Sequence, residues 1–332
     1  MGGSEGIDLP GTAATTATLR TLGVDRTELR RGLWEHPFFG VARLAGADAA
    51  DPVVRILDAV PLAPADGAIG GWSSARLQGV CYLDGFDRFG RALPVRVHET
   101  ARHRVQRRPG IDPTRCQLRR GDVLEHEGIR VTSLPRALYD EMRLAADLTE
   151  STIVVDMGVS TLTGGVHTSL VSVRQLVAHQ AKTRGIVQAR SALELATDRS
   201  CSPLESRTRA FTELRLDMHG WRINEPVFDL TGRLLGIPDL LDPLTGLVIE
   251  SDGGGHREQN RHSDDNIREE LFETANLTVV RVTSRDFRWP DALASRIAAG
   301  DRRARGRAPQ RDCWTLTKPP WWATSRLAAH WG

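Results

Sequence analysis

The stretch GRLLGIPDLLDPLTGLVIESDG, Gly232 to Gly253, decides how the C-terminal part of this chain folds. Two apolar runs, LLGIPDLLD and GLVIESDG, flank the turn-forming Pro-Leu-Thr-Gly at 243–246, the pattern of neighbouring strands joined by a tight connection. Asp239 and Glu250 end one strand and the next, eleven residues apart across that turn, and Asp252 follows Glu250 by two. Residues i and i+2 of a strand share a face, so Glu250 and Asp252 point to the same side. Three carboxylates presented together repel one another unless a cation neutralises them. Hard oxygen ligands of this kind suit Mg²⁺ or Mn²⁺, which keep waters and grip phosphate oxygens. The chemistry implied is phosphodiester hydrolysis, with a metal-activated water and charge stabilisation at phosphorus.

Reading outward, PLESRTRAFTELRLDMHG is a helix that starts after Ser202 and is closed by Gly220. WRINEPVFD supplies a further strand run before the two above, SDDNIREELFETA a second helix, LTVVRVTS a fourth strand and FRWPDALASRIAAG a last helical stretch. The order is α-β-β-β-α-β. The tail from Asp301, rich in arginine and tryptophan, is expected to be poorly ordered or docked at its tryptophans.

Upstream, TATLRTLG and DRTELRRGLW outline two short helices around Gly23, with Asp25 as N-cap and Glu28 in the capping-box position. From Asp51 to about Asp156 short strands and helices alternate, and Ile129 to Asp140 reads as strand, turn and helix with Pro135 in the first turn. Residues 145–196 carry helical periodicity. The expected organisation is a helix-turn-helix or winged-helix-like region at 1–50, an α+β region at 51–156, a helical connector at 157–200, a catalytic domain at 201–300 and the tail at 301–332. The fold class is α/β, of the α+β kind.

With 332 residues, 40% hydrophobic and 26% charged, the chain is long enough for two or three packed domains. No stretch approaches the roughly 18 apolar residues that span a bilayer, and the N-terminus lacks a secretory pattern, so a cytoplasmic protein without a membrane partner is expected. Four scattered cysteines, Cys81, Cys116, Cys201 and Cys313, fit reduced thiols and offer no Cys-x-x-Cys metal site. Of 44 basic residues only Lys182 and Lys318 are lysines. Within a cluster of arginines at 102–120, Arg104, Arg107, Arg108 and Arg119 are the candidate phosphate contacts, with Arg268 as a further DNA-binding candidate, which makes DNA the expected partner; the alternative for the cluster is a solvated charged surface.

Pro238-Asp239, the apolar strand ending Glu250-Ser251-Asp252-Gly253, and His256 resemble the PD-(D/E)xK nuclease superfamily. Within it the likeness is to the domain related to very-short-patch-repair (Vsr) endonucleases, whose members often read Glu-x-Asp-Gly-x-x-His. Ser202-Pro203-Leu204-Glu205, Asp265 with Arg268 and Leu271, and Val280-Arg281-Val282-Thr283 with Asp286 extend the match. The resemblance implies a restriction-endonuclease-like core, a Mg²⁺ or Mn²⁺ cofactor and a helical glutamate, here Glu205, approaching the metal. GGWSSARLQGV, the PVRV strand, RRPGI and GIRVTSLPRALYD resemble proteins with an AbiEi-type antitoxin domain and a winged-helix start, which implies DNA binding. The superfamily's third-position lysine is replaced by Asp252, so His256, Arg268 or a second metal would take over its work.

Each of these residues also has a plainer use. Asp239, Glu250 and Asp252 could flank turns, Glu205 could favour the helix dipole, His256 could be a loop residue, and Arg281 and Thr283 could be packing and edge residues. Gly253 to Gly255 are not followed by the Lys-Ser/Thr pair of a P-loop. Two functions follow from the whole: a modular metal-dependent DNA endonuclease carried by Glu205, Asp239, Glu250, Asp252 and His256, or a non-catalytic DNA-binding regulator of antitoxin type. The sequence leaves open a homo-oligomer or a protein partner.

Overall fold

The computed structural model describes residues 13–163, 168–252 and 269–331. It is a mixed α/β structure of two compact units, Met1–Leu144 with Gly165–Ile186, and Ala145–Gly164 with Val187–Gly332. No helix among the described residues is long and apolar enough to cross a membrane.

In the first unit, Ala14–Thr15, Val41–Leu44 and Trp34–Phe38 form an antiparallel sheet in that order, with the helix Thr16–Thr21 beside it. The second helix expected here is a single 3-10 turn, Glu28–Arg30. Its N-cap is Thr27 and not Asp25, and no side chain caps it; Asp25 Oδ1 accepts the N–H groups of Thr27 and Glu28 at 2.6 and 2.7 Å from the turn before it. The chain then forms a five-stranded sheet ordered Ile111–Thr114, Val95–His98, Ala68–Gly70, Ile129–Thr132, Val123–His126. Ile56, Ile69, Trp72, Val97 and Val131 fill its core. The expected strand-turn-helix is Ile129–Thr132 followed by Leu134–Leu144. Burial opposes the charge on Asp140, but His98, Arg136 and Arg143 surround it at 3.3, 2.9 and 3.0 Å and hold its carboxyl below the usual range.

The segment read as one connector is divided between the units. The helix Leu148–Val159 belongs with the C-terminal unit because Asp156 Oδ2 meets Arg209 Nη2 at 2.8 Å, both side chains being buried. The helix Leu170–Ala178 packs instead on Leu134–Leu144.

The C-terminal unit opens with the helix Pro203–Leu216, whose N-cap Ser202 accepts from Glu205 N at 3.2 Å with proline at the first position. It ends at Asp217, left-handed at φ 55°, and not at Gly220, because an aspartate can take that conformation without a glycine. Each of the first two expected strands is split near a proline, which removes a ladder donor: Arg222–Ile223 and Val227–Asp229 lie either side of Pro226, and Leu234–Gly236 and Leu240–Asp242 either side of Pro238. The halves enter different sheets. One is ordered Thr278–Thr283, Leu247–Asp252, Leu240–Asp242, Arg222–Ile223; the other is Leu234–Gly236, Val227–Asp229, Trp314–Thr315.

In the four-stranded sheet Leu247–Asp252 runs antiparallel to Leu240–Asp242 and parallel to Thr278–Thr283. Leu240, Leu247, Ile249, Val280 and Val282 pack on one face towards Leu293 and Ile297 of the helix Pro290–Arg305. Leu241, Val248 and Leu277 pack on the other with Phe272, from helical residues 269–274. The expected domain end at 300 therefore falls inside a helix. Beyond it, Trp322 is only 2% exposed and meets the Phe228 ring edge-on at 5.2 Å, so the tail docks through a tryptophan.

Candidate functional site

Asp239, expected to end a strand, sits instead at the entry to Leu240–Asp242 after buried Pro238, and Glu250, expected to end the next, lies within Leu247–Asp252. Leu240 faces Ile249 across the antiparallel pair, so Asp239, one residue before Leu240, lies near the strand position after Ile249. The contact is fixed from the backbone: Ser251 N donates to Asp239 Oδ2 at 2.6 Å. Ser251 Oγ turns to the helix Pro203–Leu216 and donates to Thr208 Oγ1 at 3.1 Å. Glu250 and Asp252 share the opposite side of the strand, as their spacing requires. They line a small pocket of about 90 Å³ with Glu269, Phe272, Val279 and Arg281.

Glu205 approaches from the helix, buried, its Oε2 accepting from Cys201 N at 2.8 Å and from Asn224 Nδ2 at 2.9 Å. Burial raises its carboxyl above the ordinary range against those hydrogen bonds. Asn224 also donates its backbone N–H to Asp239 O at 3.1 Å and so links the helical glutamate to the aspartate strand. Burial, then the charges of Glu205 and Asp239, push the Cys201 thiol up to about 12, which keeps it protonated.

The sequence reading thus places Glu205, Asp239, Glu250 and Asp252 on adjoining elements. Among the described residues no group of three or more His, Cys, Asp or Glu side chains is arranged to hold a metal ion. His256 and Arg268 lie outside the described residues. One contributor carried no functional signal in the sequence, and another was given a plainer use. Asn224 is legible only as a residue type that tolerates a left-handed backbone, here φ 49°. Arg281, read as a packing or edge residue, lines the pocket; its alternation with valines put it on one face of a strand but could not say which face met Glu250.

The arginines of the first unit are less available than their clustering suggests. Arg104 and Arg115 meet Glu99 at 2.9 and 2.6 Å, and Arg107 meets Asp112 at 2.7 Å. Glu99 is held down to about 2 by the hydrogen bond from Val105 N and by Arg115 and Arg104. Arg119 donates to His179 O at 2.7 Å, while Arg108 donates to the carbonyls of Gln106 and Phe39 at 3.3 and 3.5 Å. Phe39, at the tip between Trp34–Phe38 and Val41–Leu44, is 96% exposed.

No protein-family model, curated protein or solved structure matches this chain.

Proposed function

We propose that the C-terminal unit is a Mg²⁺- or Mn²⁺-dependent phosphodiesterase of the restriction-endonuclease-like kind acting on DNA. The observation that carries the reading is the bond from Ser251 N to Asp239 Oδ2, which holds Asp239 against the strand whose Glu250 and Asp252 line a polar pocket. The helix-strand succession around it, with Leu247–Asp252 antiparallel on one side and parallel on the other, supports the same reading.

The donor set fits the cation. Mg²⁺ commonly takes one or two carboxylates, with waters and substrate phosphate completing its shell, so a third protein ligand is not needed. Asp239 and Glu250 would hold it, and Asp252, exposed at the strand end, would add negative charge. When bound, the ion lowers the pKa of a water and neutralises charge at phosphorus. Water oxygen bonds to phosphorus, one P–O ester bond breaks, the attacking water gives up a proton and the leaving oxygen takes one. Ser251 N and Asn224 keep Asp239 aimed, and buried Glu205 fixes Asn224 in turn.

In the first unit, the three-stranded sheet with a helix against it and exposed Phe39 at its hairpin tip support a winged-helix-like DNA-binding role. The regulator reading is favoured by Asp252 standing where a lysine would be. Incubating the full chain with supercoiled plasmid and Mn²⁺ separates the two. Cleavage that disappears in Asp239→Asn supports the hydrolase; binding without cleavage under Mg²⁺ and Mn²⁺ replaces it with the regulator.

A further inference from the structure

We infer that Arg281 makes the cationic contact to the scissile phosphate that a lysine two residues beyond Glu250 would otherwise make; the inference rests on the hydrolase reading above. In the parallel pair, Glu250 is in register with Arg281 and Asp252 with Thr283. Strands lie about 4.8 Å apart, so the guanidinium stem leaves the sheet directly beside the glutamate and on the same face. Both side chains line the same pocket, in which Arg281 is the cation among the described residues. The positive charge thus stands one strand to the side of the lysine's position, which Asp252 occupies.

The local structure fits this use. Arg281 Nη2 meets Glu269 Oε2 at 2.7 Å, and the two side chains are 37% and 34% exposed. An ion pair so open to solvent is weak and exchangeable, and a guanidinium has five donors with the fork geometry that matches phosphate. Arg296 Nη2 donates to Arg281 O at 3.0 Å, which holds the strand where the side chain leaves it. Lys318 does not compete, for it sits 3.7 Å from Glu225. Arginine does not give up its proton at neutral pH, so Arg281 stabilises phosphate charge and does not deprotonate water.

The test uses the full chain, Arg281→Ala, Arg281→Gln and Arg281→Lys, and a DNA duplex. Single-turnover cleavage in Mn²⁺ should fall roughly a hundredfold or more in Arg281→Ala and Arg281→Gln, with partial recovery in Arg281→Lys. The rise in melting temperature caused by Mn²⁺ alone should persist, because Asp239 and Glu250 hold the ion; melting curves without metal show that each variant is folded. Independently, duplex plus Ca²⁺ should protect Arg281 from phenylglyoxal, read by peptide mass spectrometry. Cleavage by folded variants within about threefold of wild type overturns the inference and leaves the hydrolase reading standing. So does modification of Arg281 at equal rates with and without DNA. Protection of Arg281 in a protein that cuts nothing supports the phosphate contact and overturns hydrolysis.

Discussion

The backbone N–H of Ser251 donates to Asp239 Oδ2 at 2.6 Å, so the acid opening one strand is pinned to the residue between the two acids of the next. One carboxylate oxygen is thereby committed to the sheet, and that bond fixes the orientation of the whole group.

Adding Mn²⁺ should raise the melting temperature of the full chain, since a ligand that binds only the folded state stabilises it by mass action. Asp239→Asn preserves the shape and an acceptor for Ser251 N but removes the charge, and the response should vanish. A variant that keeps the wild-type shift would remove Asp239 from the metal site.

Arg209→Ala should destabilise the C-terminal unit by about 3–5 kcal/mol, measured by urea unfolding, because it leaves Asp156 buried without its guanidinium. Burial already pushes the Asp156 carboxyl up despite Arg209. The orphaned group can escape its penalty by taking a proton, so the loss should shrink as pH falls. A loss that is small and the same at all pH values would show that the pair contributes nothing.

Asp286 provides a second pH signature. It accepts from Thr283 N at 2.7 Å and pairs with Arg296, which with these hydrogen bonds holds its carboxyl down to about 2. A carboxyl lowered on folding adds stability above its unfolded value of about 3.9, and that share is lost as pH falls towards its folded value. Asp286→Asn should therefore flatten the stability curve in that acid window and leave its slope near neutrality unchanged. An identical acid slope in wild type and variant would refute the assignment.

Among the first unit's arginines, Arg108, which donates to two backbone carbonyls, is a better phosphate contact than Arg104, which faces the carboxylate of Glu99. In DNA titrations over a range of salt, Arg108→Ala should flatten the log-log slope by about one unit. Arg104→Ala should change it less. Equal, unchanged slopes would return the whole cluster to a solvated surface.

The tight connection at 243–246 is written in the sequence, and with it the hairpin that brings Asp239 to the strand carrying Glu250 and puts Glu250 and Asp252 on one face. Short-range register follows from loop length and the two-residue period, both of which are local. The N-cap at Ser202 and the helix carrying Glu205 were legible for the same reason. Tertiary structure alone decided which sheet each half-strand joins after Pro226 and Pro238, that Trp314–Thr315 completes the second sheet, and that Glu99 and Asp112 neutralise Arg104 and Arg107. It also decided that Arg281 stands beside Glu250, for a parallel pairing is closed by a crossover whose length does not fix register. Those choices are made by burying Val248, Phe272 and Leu277 on one face and Ile249, Val280 and Leu293 on the other, an energy that belongs to the assembled core and to no single stretch of chain.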